Sequence, residues 1–243
     1  MEKAIFISSD RDLKFIREGF SRIYYGNEFC QNRIPSLDSL AGACDIAVEK
    51  RMKFTFVTPF VTDKGISQLR ALFSFLTKNM EGLEIVANDW GVIEVLKGEF
   101  SFNNIALGRL LVKQRRCPRI ISLKKKMPGG SCSIFKCAQA DSLIFSKYLL
   151  EEKISRIEID NLLQGIVRQA PVIPASLYTP FAYISTTRFC PSSCLPGHKR
   201  RIQDGQGCGS ACRDYFLRLR NKLIPGEILL KGNTYFVKND KLP

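Results

Sequence analysis

Four cysteines crowd into one C-terminal stretch, Cys190, Cys194, Cys208 and Cys212, with the spacing C-x3-C-x13-C-x3-C. Thiolates in two close pairs are a chain's means of gripping a soft metal ion or an iron–sulfur cluster. Three intervening residues bring both sulfurs of a pair to one side of a turn or of one helical step. Gly205, Gly207 and Gly209 let the backbone fold tightly around an ion. A pair of disulfides, or inert buried thiols, is the plainer alternative. The chain begins Met1-Glu2-Lys3-Ala4, too quickly polar for a signal peptide, so a cytoplasmic location is expected. There the thiols stay reduced and the metal reading gains. His198 is the only histidine, which argues against a Ser/His/Asp triad or a histidine-rich zinc site.

Cys30 lies far from that stretch, just after an apolar run. Cys44 shares a helical face with Leu40, Ala47 and Val48 and reads as core. Cys117, Cys132 and Cys137 surround a basic segment at unconvincing spacing and read as structural.

The net charge of +14 calls for anionic company: nucleic acid, an acidic small molecule, an acidic partner or anionic lipid. Between 109 and 126 stand Arg109, Lys113, Arg115, Arg116, Arg119, Lys124, Lys125 and Lys126 without an acidic residue. Such a run neutralises several phosphates at once, or is a solvated loop that keeps the protein soluble. No RNA-recognition motif accompanies it. Met127-Pro128-Gly129-Gly130 lacks the Gly-Lys-Ser of a phosphate loop. No apolar run reaches the length of a membrane span.

The elements that position these residues alternate between apolar β-rich runs and amphipathic helical stretches. Strands are expected at 4–8, 21–26, 53–58, 83–87, 104–107, 154–160 and 177–185. Helices are expected at 11–20, 36–50, 67–79, 91–96, 141–152 and 161–168. This order predicts βαβ units with a parallel sheet, in a TIM-like (β/α) barrel, complete or slightly irregular. The run 227–237 carries a Gly-Asn turn and reads as a β-hairpin appendage or as the element that closes the barrel. We expect one domain: a barrel over 1–186, closed by a Cys-rich segment and terminal hairpin over 187–243.

Polar residues follow several of these strands directly: Asn27-Glu28-Phe29-Cys30, Asn88-Asp89-Trp90-Gly91, Gly108-Arg109 and Asp160-Asn161. In a barrel they form the C-terminal rim, where sites are built. The plainer role for Asn and Asp is to cap the next helix. That role is at least as good for Asp160-Asn161, whereas Asn88 and Asp89 beside the only tryptophan favour binding. Arg33, Arg109 and Arg188 are candidates to hold a dicarboxylate through forked hydrogen bonds.

The sequence resembles the collagenase-like peptidase family of unknown catalytic type, which includes UbiU-like, UbiV-like and RNA-hydroxylating members. The resemblance lies in Tyr25-Gly26-Asn27-Glu28-Phe29-Cys30-Gln31-Asn32-Arg33, Val86-Ala87-Asn88-Asp89-Trp90-Gly91-Val92, Arg156-Ile157-Glu158-Ile159-Asp160 and Thr187-Arg188-Phe189-Cys190. The UbiV-like pattern is the nearest. It implies a 4Fe-4S cluster on Cys30, Cys190, Cys208 and Cys212, with Cys194 to spare. It further implies oxygen-independent hydroxylation of a quinone precursor or an RNA base, prephenate as oxygen source, and work beside a second family member. Two features depart from the family: Cys194 is extra, and the chain is short. The four local cysteines are thus an alternative ligand set, for a cluster or for structural zinc in a basic, RNA- or partner-binding module without catalysis. No nucleophile–base pair supports a peptidase.

Overall fold

The computed structural model describes residues 2–117, 120, 134–162, 164–168, 172–183, 219–220 and 234–238. Seven parallel strands form a curled sheet, a partial TIM-like barrel: β1 (Lys3–Ile7), β2 (Arg22–Gly26), β3 (Lys53–Val57), β4 (Glu84–Ala87), β5 (Ile105–Leu107), β6 (Ile154–Asp160) and β7 (Ala175–Thr179). Each pairs with the next in sequence. Two short strands, β8 (Phe181–Ala182) and β9 (Leu219–Arg220), pair antiparallel beyond β7. A last strand, β10 (Thr234–Lys238), runs parallel to both β7 and β1 and closes the circuit. Both of its edges are therefore occupied. It serves as the closing element and not as one arm of a hairpin; residues 227–233 lie outside the described set.

The expected strands hold to within a residue or two, except the last. Pro180 has no N–H to donate to a ladder, so β7 stops at Thr179 and the run to 185 is broken. The helices pack outside. Ser36 caps α1 (Leu37–Glu49), its hydroxyl accepting from the Ser39 N–H at 3.2 Å. The α1 face Leu40, Ala43, Cys44, Ala47 follows the helical period and is buried. Next come α2 (Asp63–Asn79) and α3 (Trp90–Phe100), whose buried leucines, valines and Phe73 cover the sheet. A single turn, α4 (Arg109–Val112), follows β5, and α5 (Leu143–Glu151) precedes β6.

Two expected helices do not form. Over 11–20 there is only a 3-10 segment, Asp10–Phe15; Leu13, Ile16 and Phe20 pack partly against the core, but the chain turns extended at Ile16 and Gly19 takes φ +93, which ends the helical run. Over 161–168 the described residues are turn and coil. Gly165 takes φ +85, and Gln164 and Arg168 bond to carbonyls of Arg115, Phe135 and Ile173. Among the described residues no helix is long and apolar enough to cross a membrane.

The strands are buried on both faces, which is why they read as near-continuous apolar runs. One face meets the helices. The other lines the lumen with Ala4, Phe6, Tyr24, Val57, Val86, Ala106 and Tyr178. Gly26 ends β2 at φ +134, and a Cβ there would collide with the Val57 carbonyl oxygen. Replacing Gly26 with alanine is expected to cost at least about 2 kcal/mol, since both backbone strain and overlap must be relieved. Urea unfolding measures it; a midpoint within error of the parent would show that β2 and β3 shift apart freely.

Candidate functional site at the barrel mouth

The C-terminal ends of β2, β5 and β6 converge on one ionic cluster, covered by Tyr178 of β7. Arg109 opens α4 and is 1% exposed. Its Nε donates to Glu28 Oε1 at 2.9 Å, and its two terminal nitrogens pair with Glu28 Oε2 and Asp160 Oδ1. Arg116 completes the set, its Nε donating to Asp160 Oδ2 at 2.8 Å. Two guanidinium groups thus face two carboxylates, and the buried charge balances. Burial opposes the Arg109 charge, but Asp160 and Glu28 hold that guanidinium well above its ordinary range.

Aromatic rings enclose the cluster. The Arg109 guanidinium lies 3.8 Å from the Tyr178 ring centroid, and that of Arg116 lies 3.9 Å from Tyr183. The Tyr183 hydroxyl donates to the Arg109 carbonyl at 3.0 Å. Burial pushes the Tyr183 phenol up, against the pull of Arg116.

The loop after β2 is wound by its own side chains. Tyr25 bonds to Asp10, and the Phe29 N–H donates to Asn27 Oδ1 at 3.1 Å. Glu28 turns down onto Arg109, and the Phe29 ring packs on Tyr183 with centroids 4.9 Å apart. Cys30 follows, partly exposed, outside any disulfide, and heading the 3-10 turn Gln31–Arg33. Gln31 Oε1 fixes that turn by accepting from the N–H and the hydroxyl of Thr62 at 2.9 and 3.0 Å.

Beside the cluster opens a cleft of about 490 Å³, lined by Phe60, Trp90, Leu110, Lys113, Arg116 and Tyr183 among others. Trp90 is 37% exposed and its ring meets Phe145 and Tyr148 on α5. A flat anionic molecule has rings to lie against here and the exposed Lys113 to meet; Arg116 lines the cleft with its guanidinium held by Asp160 and by the carbonyls of Gln114 and Arg109.

The candidates read from the sequence fare differently. Asn88 and Asp89 do line the cleft, but their polar atoms serve the scaffold. Asn88 donates to the Thr58 carbonyl at 2.9 Å and accepts from the Leu110 N–H at 3.1 Å. Asp89 caps α3 through the Gly91 N–H and also accepts from the Val61 N–H. Arg109 stands at the rim as expected, yet its fork is spent on Glu28 and Asp160. Arg116 is the arginine that faces the cleft, a residue first read only as part of the basic run. Within that run Arg115 also has an internal partner, donating to the Ile134 carbonyl at 2.6 Å. Asp160 is no helix cap but the shared acceptor of two arginines. The signal for it was present: in Arg156-Ile157-Glu158-Ile159-Asp160 charge and isoleucine alternate, as on a strand with one polar face.

Cys44 is core as expected, and burial pushes its thiol up to about 12. Arg188, Cys190, Cys194, His198, Cys208, Cys212 and Cys132 lie outside the described residues. Among the described residues no group of three or more metal-ligating side chains occurs.

No family model matches the sequence, and no curated protein is similar to it. Among solved structures the chain is similar to that of the U32 peptidase Mk0906, a collagenase-like family structure, with a TM-score of 0.55. The likeness covers 100% of this chain and 94% of the other at 11% identity, so what the two share is the fold.

Proposed function

We propose that this chain is a thiolate-ligated iron–sulfur protein whose barrel mouth binds an anionic, ring-bearing small molecule. The ligands are Cys30, Cys190, Cys208 and Cys212, with Cys194 the alternative fourth. One observation supports this above others. The Phe29 ring, next to Cys30, packs on Tyr183, seven residues before Cys190; β9 returns to pair with β8 seven residues after Cys212. The segment holding four cysteines therefore leaves from the mouth and comes back to the strand beside it. Seven residues reach up to about 25 Å when extended, ample to cross the rim. Cys30 suits the donor set: a partly exposed thiol at the rim, unlike the deeply packed Cys44.

A cluster bound there supplies one-electron chemistry or braces the loop. The chain's own residues do the rest. Lys113, exposed on the lining, attracts a carboxylate or phosphate into the cleft, Trp90 and Tyr183 offer ring faces, and Phe60 and Leu110 add apolar surface; Arg116, held by Asp160, fixes the wall beneath Tyr183. This fits a part in oxygen-independent hydroxylation, as in UbiV-like proteins, with a quinone precursor or RNA base as substrate, prephenate as oxygen donor and a second family member as partner. Peptide hydrolysis, the activity named for the fold neighbour, has less support, because Glu28 and Asp160 at the mouth are engaged by arginines.

The test is purification without oxygen, with a visible spectrum and iron, sulfide and zinc content. A brown protein with about four iron and about four sulfide per chain is expected. A colourless protein carrying one zinc would replace this reading with a structural zinc module, whose RNA binding would then be measured across salt.

A further inference from the structure

The lumen below the mouth holds charges that the proposed chemistry does not use. Glu84 is well served: it accepts from Thr55 Oγ1 at 2.9 Å, pairs with Arg156, and lies 3.5 Å from Arg22 Nη1. Glu158 is not. It is fully buried; its Oε1 lies 3.3 Å from the Tyr24 hydroxyl and 3.5 Å from Arg156 Nε, at or beyond the edge of a good hydrogen bond. Its Oε2 has no hydrogen-bond partner among the described residues. The Tyr178 hydroxyl on the adjacent strand is equally buried and equally without one. Ser176, the register partner of Glu158, bonds to Tyr24 instead.

A buried carboxylate ion with one bare oxygen is costly, because an ion out of water must recover its hydration from partners, and the nearest cation, Arg156, is shared with Glu84. The neutral acid sheds that charge, and an unpartnered neutral carboxyl oxygen costs less than an unpartnered anionic one. We propose that Glu158 is an internal proton-binding site of the barrel, protonated below neutral pH, and a pH-sensitive switch of its stability. The groups facing it are Tyr24 from β2, Glu84 from β4, Arg156 on its own strand, and Ser176 and Tyr178 from β7. Glu28 and Arg109 lie above at the rim, and Tyr235 stands opposite Ser176 in register on β10. Through Tyr178, whose ring the Arg109 guanidinium covers, the switch touches the mouth.

Burial pushes the Glu158 acid up to about 7; Arg156 opposes this, and Glu84 and Glu28 add to it. In the unfolded chain the same acid titrates near 4.5. Between those values the folded barrel keeps a proton that the unfolded chain has released. The stabilisation is therefore complete below about 4.5, falls as pH rises, and is gone above about 7. Full deprotonation lowers the folding constant by about 300-fold, the antilogarithm of that difference in pKa.

Urea unfolding of the full chain and of Glu158→Gln, from pH 5 to pH 8.5, tests this. The folding constant of the variant, divided by that of the parent, should rise on the order of a hundredfold over this range. Parallel curves would overturn the proposal. Infrared titration of the parent chain decides independently, even should the variant fail to fold. A protonated-carboxyl carbonyl band present at pH 6 and lost through about pH 7 is expected; its absence at pH 6 overturns the proposal.

Discussion

Replacing Arg109 with alanine is expected to destabilise the barrel by about 3–5 kcal/mol, the largest single-residue effect foreseen for the described structure. Arg109 is buried, and among the described residues it alone bridges Glu28 after β2 to Asp160 at the end of β6. Arg116 still serves Asp160 when Arg109 is gone, so the orphaned charge falls mainly on Glu28. A buried carboxylate without a partner costs far more than the pair contributed over an apolar equivalent. The Tyr178 ring also loses the guanidinium that covers it. Lysine at 109 should recover only part of the loss, because an ammonium cannot bond both carboxylates in one plane. Urea unfolding at neutral pH measures both variants. A change under about 1 kcal/mol for the alanine variant would show that the cluster is solvated in solution, with the pair worth no more than a surface salt bridge.

Cys30→Ala is expected to abolish the cluster, taking iron from about four per chain to near zero, while Cys194→Ala leaves it at about four. The difference is large because a thiolate cluster lacking one ligand opens to solvent and oxygen. Cys30 stands next to Phe29, whose ring holds the strand leading into the cysteine segment. Iron and sulfide analysis of the two variants, purified without oxygen, is the measurement. The opposite outcome, with Cys194→Ala empty and Cys30→Ala full, would assign the site to the four local cysteines. Cys30 would then be a rim residue without a metal.

Much of the scaffold was legible because its determinants are local. A strand buried on both faces in a parallel sheet is apolar along most of its length, and β1 to β5 declare themselves that way, whereas β6 shows itself by alternating charge and isoleucine. Ser36 and the spacing Leu40, Ala43, Cys44, Ala47 set out α1 by capping and period alone. Where local signals misled, a local competitor was responsible: Pro180 within the seventh strand run and Gly165 within an expected helix. The rim was legible as a set of polar residues after strands, Cys30 and Arg109 among them.

How those residues divide their work was not legible. Asp89 and Asp160 look alike in sequence, each an acid following an apolar strand, yet one caps a helix and the other bridges two arginines. The partners of Arg109 stand 81 and 51 residues away from it. They meet only because the barrel's register brings the ends of β2, β5 and β6 to one level. Composition and spacing thus determined an α/β chain with parallel strands, a basic surface and a cysteine-rich segment, since periodicity and charge are properties of neighbours. Tertiary structure decided that Arg109 is a brace and Arg116 faces the cleft, and that Glu158 is buried with one oxygen bare. Burial and ion pairing depend on which distant side chains the closed sheet sets face to face.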